Sequence, residues 1–303
     1  MNTLSKVTPP LVPFTHLCIV EQTKLGSPEP SMKSRKFLLF ALSLCLLTAC
    51  ASKDKNKQEE PEPAETLYQK AAKAMEEEDY KNATKYFDEV ERQHPYSALS
   101  SRAQLMAAYS SYLDQRYDEA IVALDRYIDL HPGAPDVDYA YYLKAMSYYE
   151  QISDVRRDQD MTVKALKAFN ALTSRFPDSE HSRDAELKRD LVLDHLAGKE
   201  MEVGRYYLNR GHINAAINRF RTVIMHFQTT THVPEALHRL VESYLTLGLE
   251  HEALQVAMVL GHNYPGNSWY ERTYELMNPE LRKKMQDDRG IVARTVDSLL
   301  KPD

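Results

Sequence analysis

From about residue 65 onward the apolar positions of this chain recur in steps of three and four. The stretch Glu202–Phe227 (EVGRYYLNRGHINAAINRFRTVIMHF) shows the pattern best. Its Ala216, Phe220 and Val223 fall on one face of a helix. Read as two short antiparallel helices, the stretch gives each residue a task. Gly204 lets the first helix approach its partner, and Tyr207 fills the seam between them. Gly211 takes the turn, where φ can be positive. Ala216 is the small residue where the two helices cross.

The same set returns along the chain. Tyr80, Ala83, Phe87, Val90 and Pro95 form one copy, and Tyr117, Ala120, Leu124, Tyr127 and Pro132 the next. Ala165, Phe169, Leu172 and Pro177 form a third, and Ala253, Leu260 and Pro265 a fifth. Ala83 to Ala120 and Ala216 to Ala253 are each 37 residues apart. The unit resembles the tetratricopeptide repeat, a helix–turn–helix of about 34 residues that cannot bury its apolar face alone. The expected fold is therefore all-α, a superhelical solenoid of five helix pairs with a C-terminal helical tail. The pairs are expected near 66–92, 99–129, 136–175, 183–227 and 234–262. The third pair is interrupted by the charged run Ser153–Asp160, either a binding loop or a solvated insertion. Ser182–Lys199 has no breaker before Gly198 and reads as a long helix joining two halves. In the tail, Trp269 and Tyr270 cap the last pair and Pro279–Leu300 forms a terminal helix.

Composition agrees with helices: glycine is scarce, at 9 residues, and the apolar pattern never alternates as a half-buried strand would. A net charge of −6 gives no reason to expect nucleic acid, which asks for a clustered basic face. All 3 cysteines (Cys18, Cys45, Cys50) precede the repeats, so the helical body has neither a disulfide nor a thiol nucleophile.

The N-terminal region is of a different kind. Residues 1–31 are proline-bearing and without helical period, and read as a disordered or non-native extension. Met32 is followed by Lys33, Arg35 and Lys36, then by the apolar run Phe37–Thr48, which is too short to span a bilayer. That is the layout of a secretory signal over 32–49, with translation expected to start at Met32. It ends in Leu47-Thr48-Ala49-Cys50, which resembles the lipobox of bacterial lipoproteins. The resemblance implies an acylated Cys50 as mature N-terminus, with this covalent lipid the sole contact with membrane and no other cofactor. Ala51 in place of an aspartate points to the outer membrane, at its periplasmic face. Residues 50–64 are polar and charged and read as a flexible tether. The repeats then divide into 65–180 (first to third), 181–267 (fourth and fifth) and a tail over 268–303.

No catalytic residue is expected. HExxH, paired CxxC and glycine-rich phosphate loops are all missing, and His238 with Glu242 lacks a third metal ligand. The informative positions are those that the first helix of each repeat turns inward. Tyr68, Tyr109, Tyr112, Tyr139, Tyr142, Met146 and Tyr149 would make an aromatic groove in the first half, suited to an extended peptide with apolar anchors. The alternative is that they fill seams between helices. In the second half Arg205, Asn218, Arg219 and Arg221 are the candidates for binding a protein partner.

The lipobox, the acidic tether and the five repeats with a disrupted third turn together resemble the BamD (ComL) lipoprotein family. The segments that carry this are His94–Leu105 (HPYSALSSRAQL), His131–Tyr149, Glu200–Ile224 and Val259–Tyr270 (VLGHNYPGNSWY). The resemblance implies a non-catalytic adaptor of the machinery that inserts β-barrel proteins into the outer membrane. Its implied partners are a periplasmic domain of the insertase, docked by the C-terminal repeats, and accessory lipoproteins. The N-terminal repeats would receive the C-terminal signals of unfolded outer-membrane proteins. The alternative is another periplasmic tetratricopeptide scaffold, of envelope or cell-division type, though such proteins usually carry a coiled-coil run that is missing here.

Overall fold

The computed structural model describes residues 61–287. Within them the chain forms helices only: α1 (Ala64–Glu76), α2 (Tyr80–Gln93), α3 (Ser100–Leu113), α4 (Tyr117–Leu130), α5 (Val137–Tyr149) and α6 (Asp160–Arg175). There follow α7 (Glu180–Asn209), α8 (Ile213–His226), α9 (Val233–Thr246), α10 (Glu250–Asn263), α11 (Ser268–Leu276) and α12 (Pro279–Asp287). Each helix from α1 to α10 packs on the next, and α3 and α7 also touch α5. The result is a tetratricopeptide-type solenoid of five helix pairs, with α11 on α9 and α10 and α12 on α10.

Local chemistry sets the turns. Within four of the pairs the residue two positions before the second helix has positive φ: Glu78 (59°), Gln115 (59°), Gly211 (76°) and Gly248 (74°). Between pairs, His94, His131, Phe176 and Tyr264 end the second helix at φ between −126° and −132°. A proline follows each, and proline disfavours helical backbone in the residue before it. Phe227 adopts the same conformation (φ −129°, ψ 43°) with Gln228 after it. The stack of pairs therefore imposes this bend, and proline only reinforces it.

The repeated small and aromatic positions are the core. Ala83, Ala120, Ala165, Ala216 and Ala253 are all 0% exposed, as are Phe87, Phe169 and Phe220. At Gly204 an added Cβ would lie 2.4 Å from Cε1 of Phe220, so only glycine admits that ring. Gly198 does not end the helix expected to break there. It lies inside the 30-residue α7, where a Cβ would meet Nε2 of His232 at 3.1 Å. The long joining helix and the first helix of the fourth repeat are thus one element. Its Ala185 and Val192 belong to the core of the third repeat, while Ala197 and Met201 belong to that of the fourth and fifth. A boundary at 181 therefore falls at the start of a helix that serves both halves.

The segment 150–159 is not a free loop. Lys199 on α7 donates from Nζ to the carbonyl oxygens of Arg156 and Arg157 (3.0 and 3.1 Å), and Val155 packs at Gly198. In the tail, the Tyr270 ring sits over Gly261, where a Cβ would be 2.5 Å away, and Leu281 is buried in the last core cluster. The terminal helix described here is α12, and the part of Pro279–Leu300 beyond it lies outside the described residues. So do residues 1–60, with Cys50, the signal and most of the tether.

Candidate functional site

Two helices carry most of the predicted groove, and a third completes it. On α5, Tyr139, Tyr142, Met146 and Tyr149 follow at helical spacing, and Tyr109 and Tyr112 lie on the neighbouring α3. The long α7 brings His181, Asp184 and Lys188 against them. Tyr109 and Tyr139 have centroids 6.3 Å apart, and Tyr139 lies 6.4 Å from Tyr142. The His181 ring is 5.1 Å from Tyr139 and 5.2 Å from Tyr142, stacked on the latter. The Tyr142 hydroxyl donates to Asp184 (2.6 Å), which also faces Lys188 (3.4 Å). Lys188 in turn lies over the Tyr149 ring at 5.8 Å. Tyr112 meets Tyr117 edge-on at 5.6 Å, and Tyr68, in the first repeat, meets Phe87 at 5.2 Å.

These tyrosines are half-buried, neither core nor free surface. Met146 is the exception. At 8% exposure it joins Phe169, Leu172 and Val192 in the third-repeat core, and so leaves the groove lining. Burial, aided by the Glu150 charge, pushes the Tyr112 hydroxyl up to about 12, and burial does the same at Tyr139. At Tyr142 burial first, then the bond to Asp184, pushes the hydroxyl up. The hydroxyls of Tyr112, Tyr139 and Tyr142 therefore stay protonated at any physiological pH. Those of Tyr109, Tyr139 and Tyr149 have no side-chain hydrogen-bond partner among the described residues, leaving them open to a ligand. Sequence reasoning missed His181, Asp184 and Lys188, although their spacing of three and four along one helix was a readable signal.

The second half is electrostatic. Arg205 is half-buried and committed within the chain: it donates to Glu235 on α9 (3.0 Å) and to Glu202 (2.5 Å). It thus ties the fourth repeat to the fifth, and its guanidinium is not a free partner contact. Asn218, Arg219 and Arg221 are exposed on α8, around the buried Phe220. Arg219 pairs with Glu200 at 3.0 Å. His238 is buried, with Nδ1 2.8 Å from Oγ1 of Thr273, and that hydroxyl donates to the Trp269 carbonyl. Nδ1 therefore carries the proton, and burial, with Arg239 nearby, pushes this imidazole down. Glu242, considered above as its companion ligand, accepts from Arg239 (2.8 Å). Among the described residues no three or more His, Cys, Asp or Glu are grouped to hold a metal ion. None of the described helices is long and apolar enough to cross a membrane.

Known proteins share much of this sequence. The outer membrane protein assembly factor BamD of Caulobacter vibrioides is 50% identical over 234 residues, covering 77% of each chain. That of Rickettsia prowazekii is 44% identical over 246 residues, covering 81% of this chain and 98% of its own. That of Neisseria meningitidis serogroup A is 32% identical over 255 residues, covering 79% and 96%. The family model described as "YfiO: Outer membrane lipoprotein" matches residues 60–259, from the first helix pair to within α10. On that match, and on the identity shared with the assembly factors, the chain belongs to the YfiO outer membrane lipoprotein family.

Proposed function

We propose that this chain is a non-catalytic adaptor for assembling outer-membrane proteins, held at the periplasmic face of the outer membrane by lipid on Cys50. The observation that carries this reading is its likeness, over the repeat body, to proteins named as outer membrane protein assembly factors. In this reading the exposed row on α8 (Asn218, Arg219, Arg221) docks on the periplasmic domain of the barrel insertase, with accessory lipoproteins alongside. The tyrosine face of α3 and α5 receives the C-terminal signal of unfolded outer-membrane proteins. Its half-buried rings supply stacking area for an aromatic residue, and its open hydroxyls bond an extended backbone. The band formed with α7 is already ordered, which lowers the entropic cost of binding.

Affinity purification of the tagged, lipidated chain from detergent-solubilised membranes tests this. The barrel insertase should be captured, and Arg219→Glu should weaken the capture by up to about fivefold, since exposed pairs contribute about 0–1 kcal/mol each. Helicity should stay as in the parent. Capture of division proteins without the insertase would replace this reading with that of an envelope scaffold.

A further inference from the structure

The turns that join one helix pair to the next lie along one edge of the solenoid, and the first two are apolar at their tips. No Asp, Glu, Lys or Arg stands in 93–101 or in 130–135, whereas the third turn carries Asp178 and Glu180 and the fourth exposes Gln228 and Thr229. The exposed residues of the first turn include Pro95, Tyr96 and Ala98, and those of the second Leu130, Pro132 and Pro135. Tyr96 is 100% exposed and Leu130 56%. Both turns are held in place. His94 donates from Nε2 to the carbonyl oxygen of Glu62 (2.6 Å), and His131 donates from Nε2 to Oε1 of Gln104 on α3 (2.8 Å). The first of these bonds ties the edge to the residues that lead into α1, where Lys70 neutralises the Glu62 carboxylate at 2.5 Å.

An ordered apolar edge without charges marks an interaction surface, and the tether indicates its partner. Residues 51–61 span at most about 40 Å between a lipid on Cys50 and Glu62, so an anchored chain keeps this edge within reach of the bilayer. At the effective concentration that a short tether imposes, a contact too weak to hold a free protein is enough. Tyrosine suits the headgroup level, where its ring lies among apolar groups and its hydroxyl stays wet. Because the two turns carry no charge, no ion has to be stripped of water on contact. We propose that the edge bearing Tyr96 and Leu130 rests in the headgroup region of the bilayer, as a second membrane contact beside the lipid. The solenoid then stands with its first two repeats against the membrane instead of hanging from the tether. This inference rests on the lipid anchor proposed above, and it revises the expectation that the lipid is the sole contact.

The test uses the lipidated full chain on vesicles of phosphatidylethanolamine and phosphatidylglycerol. Cys18 and Cys45 precede the acylated Cys50 and the repeats have no cysteine, so one introduced cysteine carries the only label. A bimane at Tyr96→Cys or at Leu130→Cys should shift to the blue and be quenched by nitroxide-bearing lipid. A bimane at Leu247→Cys, exposed at a turn on the opposite edge, should do neither. The quenching should persist at high salt, because the edge is uncharged. With the label at Pro132→Cys, replacing Tyr96 and Leu130 together by serine should lower the equilibrium constant of contact, read from the quenched fraction, by about tenfold. Both side chains are exposed, so this variant should keep the helicity of the parent. Co-sedimentation with the vesicles reports the anchor separately. A chain left in solution would refute the lipid reading and this contact with it, whereas a chain that sediments without quenching at either edge position would overturn the contact alone. Quenching that is equal at Leu247→Cys, lost in salt or unchanged by the serine pair would also overturn it. So would a label at Tyr96→Cys that is shielded in native membranes but not on vesicles, which would give the edge to a protein partner.

Discussion

Replacing Gly204 by alanine adds one methyl group at the tightest helix crossing of the fourth repeat. The new Cβ would lie 2.4, 2.9 and 3.0 Å from Cε1, Cδ1 and Cζ of Phe220. Carbon atoms rest at about 3.5–4.0 Å, so the overlap exceeds 1 Å. The ring cannot swing aside, because Phe220 is fully buried among Met201, Val223 and Leu237 in the same cluster. Overpacking of a tight core costs about 1–3 kcal/mol, and this overlap belongs at the upper end. Alanine recovers about 1 kcal/mol through its better helix propensity. The net loss is then about 2 kcal/mol, or about 4–8 °C in melting temperature for a body of this size. Circular dichroism melts measure the total, and hydrogen exchange shows where it falls. Solenoid repeats interact with their neighbours only, so amides of α8 and the second half of α7 should open most. Adding Phe220→Leu should cost less in the Gly204→Ala background than alone, since it relieves the overlap. A Gly204→Ala protein that melts at or above the parent would refute the close approach.

Gln115→Gly should stabilise by about 0.5–1 kcal/mol in denaturant unfolding. A side chain at φ 59° costs about 1–2 kcal/mol, which exceeds the extra chain entropy of glycine. Because the folded state holds His238 below its ordinary 6.5, the unfolded chain binds more protons below that pH, so stability falls on acidification from about 6.5 downward. His238→Gln should flatten that fall in melts between pH 5 and 7, and an unchanged slope would place the titration elsewhere. Tyr109→Ala with Tyr139→Ala should weaken an aromatic-ended signal peptide about tenfold or more on the tyrosine face, as burying one ring contributes about 1.5–3 kcal/mol. Cys50→Ser should abolish incorporation of labelled fatty acid, and label retained in that variant would exclude the anchor.

Much of the fold was legible because each signature residue answers to a contact within its own repeat. Ala216 meets its partner helix inside the pair, Gly204 admits Phe220, and Gly211 turns at φ 76°. Such contacts depend on local spacing, and the sequence displays spacing. The candidate site was less legible because its walls come from different repeats. On α3 and α5 small or apolar residues occupy most of the circumference: Leu105, Ala107, Ala108, Ser110 and Ser111 on α3 are all buried. No single inner face stands out, so Met146 was assigned to a groove when α6 and α7 cover it. Arg205 has a local partner in Glu202, three residues back, but its tie to Glu235 depends on how the next repeat packs and is invisible in the sequence. Gly198 reads as a breaker on propensity, yet the His232 ring, whose Nε2 would lie 3.1 Å from an added Cβ, makes glycine the residue that fits inside α7.

That helix bears on how the two halves act together. α7 runs unbroken for 30 residues, about 45 Å at the usual helical rise. Its first turns hold His181, Asp184 and Lys188 against the tyrosines, and its later turns carry Glu200, Glu202 and Arg205 beside α8 and α9. A break at Gly198 would have made a hinge between the tyrosine band and the exposed row on α8. Instead Lys199 clamps the interrupted turn of the third repeat onto the helix at that point, through two backbone carbonyls. The interruption in the repeat pattern is therefore spent on bracing the junction. Tyr142 extends the brace, since its ring stacks on His181 while its hydroxyl holds Asp184. A band fixed in this way presents its rings without having to order them, and it keeps a constant register with the surface on α8.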